Sequence, residues 1–341
     1  MLFKWSHSIS GQKSKFGAPD DMKHHFGDTL DRSGGHWNFV PNVQRYAFHV
    51  PEWTSGQKLD SVATISSEDK NWELISTFPN LEELTLHSPS HEQIAFVSNL
   101  WPLKRLRITH ARPKSLEFIA RLQNLEEVIL EYVSGFSDVS PLGELSKLKA
   151  LHIENVRRVS DFSGIKNARK LAYLSIDGTF DWAQPIESLD FLGSLVSLEY
   201  LRLVNVRPPK ISEPLASLLK LENLAKIMVE MNTFPLEVFA WLQARIPQVE
   251  GSVRPAFVKF GGENREIHPR DMRFQMPIEE FNSYSNLFVG PDGKRYQWVP
   301  HQAALLGRGQ RGLSGTQEFV DKACCAHEER YRRLVEQFGG G

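Results

Sequence analysis

The chain has 341 residues, with 40 basic and 41 acidic side chains. That length supports a well-buried core, and the balanced charge gives no positive excess for neutralising phosphates, so general nucleic-acid binding and acidic-membrane binding are disfavoured. The two cysteines, Cys324 and Cys325, are adjacent and cannot staple distant segments together, which argues against a secreted disulfide scaffold. His7, Ser8, Ser10, Gln12 and Lys13 interrupt any signal-peptide core, and no apolar run approaches the roughly 20 residues of a membrane helix. A cytoplasmic protein with no membrane association is the expectation.

Residues 1–40 are rich in Gly, His, Ser and charge, the composition of an amino-terminal cap or flexible arm. A degenerate strand is expected at Val43, Tyr46 and Phe48, followed by a short helix from Trp72 to Phe78. A regular period then begins. Leu81, Leu84 and Leu86 recur as Leu103, Leu106 and Ile108, as Leu125, Val128 and Leu130, and as Leu148, Leu151 and Ile153. The series continues through Leu171, Leu198 and Leu224, with successive first leucines 22, 22, 23, 23, 27 and 26 residues apart.

Within each L-x-x-L-x-L unit the apolar residues at the fourth and sixth positions alternate with polar ones, the period of a short strand and not of a helix. Leu116, Ile119 and Leu122, Leu142 and Leu145, Phe162 and Ile165, and Leu192 and Leu195 supply an opposite apolar wall on the returning segments. No single unit can bury its own apolar face, so stacked neighbours must share one core.

The stretch from Phe136 to Leu174, with its D-x-x-P-L-x-x-L step at Asp138, resembles the short repeats of internalin-like leucine-rich-repeat proteins. The resemblance covers about residues 81–230. With the degenerate strand near Val43 and a period that ends at Val249, the expectation is an α/β leucine-rich-repeat solenoid over residues 41–251, with a curved parallel sheet. The resemblance also implies an asparagine ladder after each strand, yet the corresponding positions hold Ala111, Val133, Val156, Thr179 and Val206. Asn155 and Asn205 stand one position early.

Beyond Val249 the period is lost, and residues 252–341 are expected to form a small α+β carboxy-terminal element. It should contain a strand at Phe257 to Phe260, a hairpin turning at Pro291, Asp292 and Gly293, and a terminal helix from Thr316 to Phe338.

Strand alternation turns the third, fifth and seventh positions of each unit away from the repeat core, onto the concave sheet. The candidate partner-binding residues are therefore Arg105, Arg107, Glu127, Glu131, His152, Glu154, Tyr173, Asp177, Tyr200 and Arg202. Tyr and Arg are common energetic anchors of protein interfaces, so the expected partner is a protein or peptide bound without catalysis. The same residues also read as an ordinary solvated face with cross-strand pairs such as Arg105 opposite Glu83 or Glu127.

No cofactor and no metal site is expected. Gly307, Gly309 and Gly312 spell G-x-G-x-x-G, but no βαβ unit surrounds them, and a glycine loop is the plainer reading. Cys324, Cys325 and His327 crowd one helical turn and cannot converge on a tetrahedral ion by themselves, so the cysteines read as small buried packing residues. The alternative function is an effector enzyme. Bacterial leucine-rich-repeat ubiquitin ligases follow a solenoid with a cysteine-dependent domain, and Cys325 near Glu328 and Glu329 is similar in outline. That domain is larger than residues 252–341 and carries an acidic residue closer to its cysteine.

Overall fold

The structure, a computed structural model, describes residues 30–31, 38–39, 49, 51–55, 62–100 and 102–340. Most of the amino-terminal cap, and the strand expected at Val43, Tyr46 and Phe48, lie outside the described residues. Within residues 1–40, two-residue strands β1 (Leu30–Asp31) and β2 (Asn38–Phe39) pair antiparallel.

Eight parallel strands form the solenoid sheet. In spatial order they are β3 (Val62–Ser66), β4 (Glu83–His87), β5 (Arg105–Thr109), β6 (Glu127–Glu131), β7 (Ala150–Glu154), β8 (Tyr173–Asp177), β10 (Tyr200–Val204) and β12 (Lys226–Val229). The two-residue strands β9 (Gln184–Pro185) and β11 (Val206–Arg207) form a separate parallel ladder. Seven strands are those of the sequence period; β3 extends the array by one, and its VATIS sequence lacks the leucine signature.

The register repeats without slippage, so Leu84, Leu106, Val128, Leu151, Leu174, Leu201 and Ile227 form one file across the sheet. All are essentially buried, together with the returning-segment residues Leu116, Leu142, Phe162 and Leu192, in one continuous cluster.

The returning segments start with a recurring brace. Ser115 Oγ accepts from the Glu117 amide at 3.0 Å, Asp138 from Ser140 at 2.8 Å, Asp161 from Ser163 at 2.8 Å and Ser188 from Asp190 at 3.0 Å. Each brace opens a short helical turn, including α2 (Glu117–Ala120) and α3 (Ser140–Gly143). The longer α1 (His91–Val97) instead begins with a reciprocal capping box between Ser90 and Gln93, satisfying two amides that a helix start leaves open. The expected helix near Trp72 is a 3-10 turn over Trp72–Thr77.

The asparagine question resolves at the strand ends. Ser88, His110, Tyr132, Asn155 and Asn205 all adopt left-handed backbone, with φ between 48° and 56°. This turn aims the amide sideways: Ser88 donates to Thr109, His110 to Glu131, Tyr132 to Glu154 and Asn155 to Asp177, at 2.9 to 3.0 Å. Asparagine tolerates that conformation better than most residues, which accounts for Asn155 and Asn205 standing there. Where the ladder asparagine would follow, Ala111, Val133, Val156 and Val206 are buried in the core. Gln184 braces one such turn, accepting from the Val156 amide at 3.1 Å and donating to the Val159 carbonyl at 2.7 Å.

At the far end Glu250 continues the ladder from β12, and Arg254 donates to the carbonyls of Gly251 and Val229, each at 2.6 Å. Helix α4 (Leu236–Arg245) closes the apolar core, and the terminal helix lies on it. The chain between these two helices forms two three-stranded antiparallel sheets. One comprises β13 (Phe257–Phe260), β17 (His301–Leu305) and β18 (Leu313–Gly315). The other comprises β14 (Glu263–Glu266), β15 (Leu287–Val289) and β16 (Arg295–Val299), with α5 (Ile278–Ser283) beside it. The strand expected at Phe257 to Phe260 and the hairpin around Asp292 are both present.

The terminal helix α6 (Gln317–Gly339) is capped by Thr316, whose side chain accepts from the Phe319 amide. On its buried face Tyr331 donates to Gln243 at 2.9 Å and His327 Nε2 donates to the Leu306 carbonyl at 3.0 Å. The glycine loop is packed, not poised for an anion: the Gly307 and Arg308 amides donate to Met231 and Phe234 of the solenoid. Cys324 is buried as expected, but Cys325 is exposed because it falls on the outer side of the same helical turn.

Two outcomes follow. Replacing Asn155 by alanine should cost about 1 kcal/mol or more in urea unfolding, because alanine resists the left-handed turn, and replacement by glycine should cost clearly less. Equal losses would show that the asparagine side chain, and not backbone strain, matters there. Burial also lowers the His327 pKa below its ordinary value. Its folded form thus resists protonation, so its contribution to stability is full above about pH 6.5 and is lost as pH falls toward the folded value. His327→Asn should flatten the melting-temperature profile across that acidic window.

Candidate functional site

The concave side of the sheet is three parallel rows set by register. The first runs Glu83, Arg105, Glu127, Ala150, Tyr173, Tyr200, Lys226. The second runs Thr85, Arg107, Ile129, His152, Ser175, Arg202, Met228, and the third His87, Thr109, Glu131, Glu154, Asp177, Val204. All ten candidate residues therefore share one face, as strand alternation implies. Their solvent exposure differs from the expectation. Arg107, Tyr173 and His152 are at most 1 % exposed, and Glu127, Glu131, Asp177 and Tyr200 are also buried.

The polar residues of this face are laterally paired. Arg105 sits between Glu83 and Glu127, the arrangement the solvated-pair reading describes, with Nε 3.3 Å from Glu127 Oε1. Burial opposes its charge, but the Glu127 and Glu83 carboxylates outweigh that effect and hold its pKa above the ordinary value. Arg107 reaches past one strand position to donate from Nε and Nη2 to Glu131 Oε2 at 3.0 and 2.6 Å. Arg202 donates to Asp177 Oδ2 at 2.7 Å, and Asp177 also accepts from the Val204 amide. Burial disfavours the Arg202 charge, but Asp177 more than compensates.

An apolar diagonal crosses the same face. Ile129, Ala150, Tyr173 and Tyr200 form a cluster separate from the solenoid core, and the two tyrosine rings meet edge to face with centroids 5.1 Å apart. Burial raises the pKa of both phenols, so they remain neutral hydrogen-bonding groups in ordinary buffers. A further stack lies at the strand ends, where the His110 and Tyr132 rings are parallel with centroids 4.9 Å apart.

Accessibility is concentrated toward the last strands and the row ends. Met228 is 42 % exposed, and its sulfur receives contacts from Tyr200 Oη at 3.3 Å and Arg202 Nη1 at 3.2 Å. Arg105, Arg202 and Glu154 keep partly exposed side chains. Met228 is not among the ten candidates, although its fifth-position register is readable; nothing in the sequence distinguishes an accessible fifth position from a covered one. A second grouping emerges only in three dimensions: ligand atoms of Glu131, His152 and Glu154 lie within 4.8 Å of one another.

No helix among the described residues is long and apolar enough to cross a membrane. The strand period and parallel register define a leucine-rich-repeat solenoid with a small α+β end element. Solved structures similar to part of this chain include the internalin inlF from Listeria monocytogenes, 21 % identical, covering 50 % of this chain and 49 % of that one, with a TM-score of 0.41. The internalin C2 from the same organism is 23 % identical over 49 % of this chain and 70 % of that one, with a TM-score of 0.37. A TLR13–ssRNA13 complex matches at 16 % identity over 56 % of this chain and 28 % of that one, with a TM-score of 0.39. The match thus spans about half the length of inlF. No protein-family model and no curated protein matches the sequence.

The paired face makes a direct prediction. Arg107→Met alone leaves Glu131 as an uncompensated buried carboxylate and should destabilise the protein by roughly 3 kcal/mol or more. Adding Glu131→Met should recover much of that loss in chemical unfolding. Additive losses would mean that the two side chains are not energetically coupled.

Proposed function

We propose that the chain is a non-catalytic binding module that takes a protein or peptide partner on the concave sheet, chiefly over its last three strands. The carrying observation is the exposed Met228 set between Tyr200 and Arg202, with Arg202 held in place by Asp177. An adaptable thioether beside a phenol and a fixed guanidinium combines apolar contact with directional donors, the composition of an interface anchor. Because the supporting ion pairs are already formed, little side-chain entropy remains to be lost on association. Glu154 and Arg105 extend the same face toward the earlier strands, and the element at 252–341 acts as the cap of the array.

The clean test leaves Tyr173 intact, since its buried ring belongs to the fold. Met228→Glu should leave the melting temperature within about 2 °C of wild type, as expected for an exposed site. It should also abolish quantitative capture of a partner retained by the wild-type chain. Undiminished capture of the same partner would reject this face.

A second reading draws on Cys325. It is exposed and lines an open hollow of about 620 Å³ with Arg254, Glu328, Tyr331 and Arg332, so a thiol-dependent activity has a physical location. Loss of a measured transfer activity in Cys325→Ser, with the helix still folded by circular dichroism, would favour this reading over simple binding.

A further inference from the structure

The third row of the concave face places three carboxylates side by side. Glu131 is the register partner of Glu154, and Glu154 is the register partner of Asp177. Adjacent strands lie about 4.8 Å apart, close enough for like charges to oppose folding. The outer two are neutralised: Arg107 holds Glu131 and Arg202 holds Asp177. Among the described residues no lysine or arginine pairs with the central Glu154, and its basic neighbour is His152, whose Nε2 lies 3.8 Å from Glu154 Oε2.

His152 is also the fully buried member of the group. Its imidazole stands on the same strand as Glu154, two residues away, so β7 supplies two converging donors of different chemistry and β6 supplies the third. Arg107 donates to Glu131 through Oε2 at 3.0 and 2.6 Å.

We propose that Glu131, His152 and Glu154 bind a divalent transition-metal ion of the zinc type. One imidazole nitrogen with two carboxylates suits such an ion better than calcium or magnesium, which favour all-oxygen shells. Metal bonds of about 2.0–2.2 Å in a tetrahedral shell bring ligand atoms to roughly 3.3–3.6 Å. The present atoms lie within 4.8 Å of one another, so side-chain rotations of about 1 Å close the shell. Three protein ligands leave one position open on the side where Glu154 is accessible. The ion would supply the positive charge that the central carboxylate lacks, and it would tie β6 to β7 across the binding face.

The test uses the full chain stripped with a chelator and titrated calorimetrically with Zn²⁺, then with Co²⁺ as a spectroscopic probe. Wild type should bind one equivalent, and Co²⁺ should give ligand-field bands without a sulfur charge-transfer band, which excludes Cys324 and Cys325 as the source. Glu154→Gln is nearly isosteric and lies at the accessible edge. It should weaken zinc binding by about tenfold or more, and its metal-free form should melt no lower than wild type because a repulsion has been relieved. His152→Asn should abolish the one-equivalent phase. Zinc binding unchanged in Glu154→Gln, a sulfur charge-transfer band, or no binding up to about 1 mM zinc would each overturn the site.

Discussion

Everything in this molecule depends on the file of apolar residues that runs unbroken beneath the sheet from Leu84 to Ile227. A five-residue strand with two inward side chains cannot offset the entropy of its own ordering. It becomes stable only when the strand on each side presents the same two positions at the same height. That demand fixes the register, and the register in turn fixes which polar residues meet on the other side. The pairing of Arg105 with Glu83 and Glu127 is thus a consequence of leucines that point the opposite way.

The ends of such an array are its weak points, because the last repeat has a partner on one side alone. At the carboxy-terminal end the solution is layered. Glu250 and Arg254 satisfy the open ladder of β12, α4 covers the apolar cross-section, and α6 secures α4 through Tyr331 and the apolar residues around it. The end element therefore shares its core with the repeats, and its helix is part of the same cooperative packing. His327 sits within this joint, so the protonation state of one imidazole bears on how firmly the end is closed.

The sequence was most informative where a single residue type had one physical reason to recur. The strands from Leu81 onward, the terminal helix and the hairpin at Asp292 are legible because periodicity and turn chemistry are local. Strand β3 is not legible: VATIS lacks the leucine signature, and pairing with β4 is a tertiary fact. The asparagine positions looked misplaced until the left-handed turn at Asn155 showed that a different requirement, backbone conformation, selects them. Membership of the concave face was also legible, since alternation alone assigns it. Exposure on that face is not, because it depends on tertiary packing that strand alternation does not encode.

That last distinction separates two kinds of polar residue on one surface. Buried pairs such as Arg107 with Glu131 gain Coulomb energy only after losing hydration, and their net contribution to stability is small or unfavourable compared with apolar packing. Their stronger effect is positional: an arginine committed to a carboxylate on the adjacent strand can adopt few other rotamers. On a face of short parallel strands with near-equivalent backbones, such commitments make each rung chemically distinct. Arg202 held by Asp177 beside Met228 is one outcome, and the row of Glu131, Glu154 and Asp177 is another. The leucine file makes the repeats alike; the lateral pairs on its reverse side make them different, and recognition requires that difference.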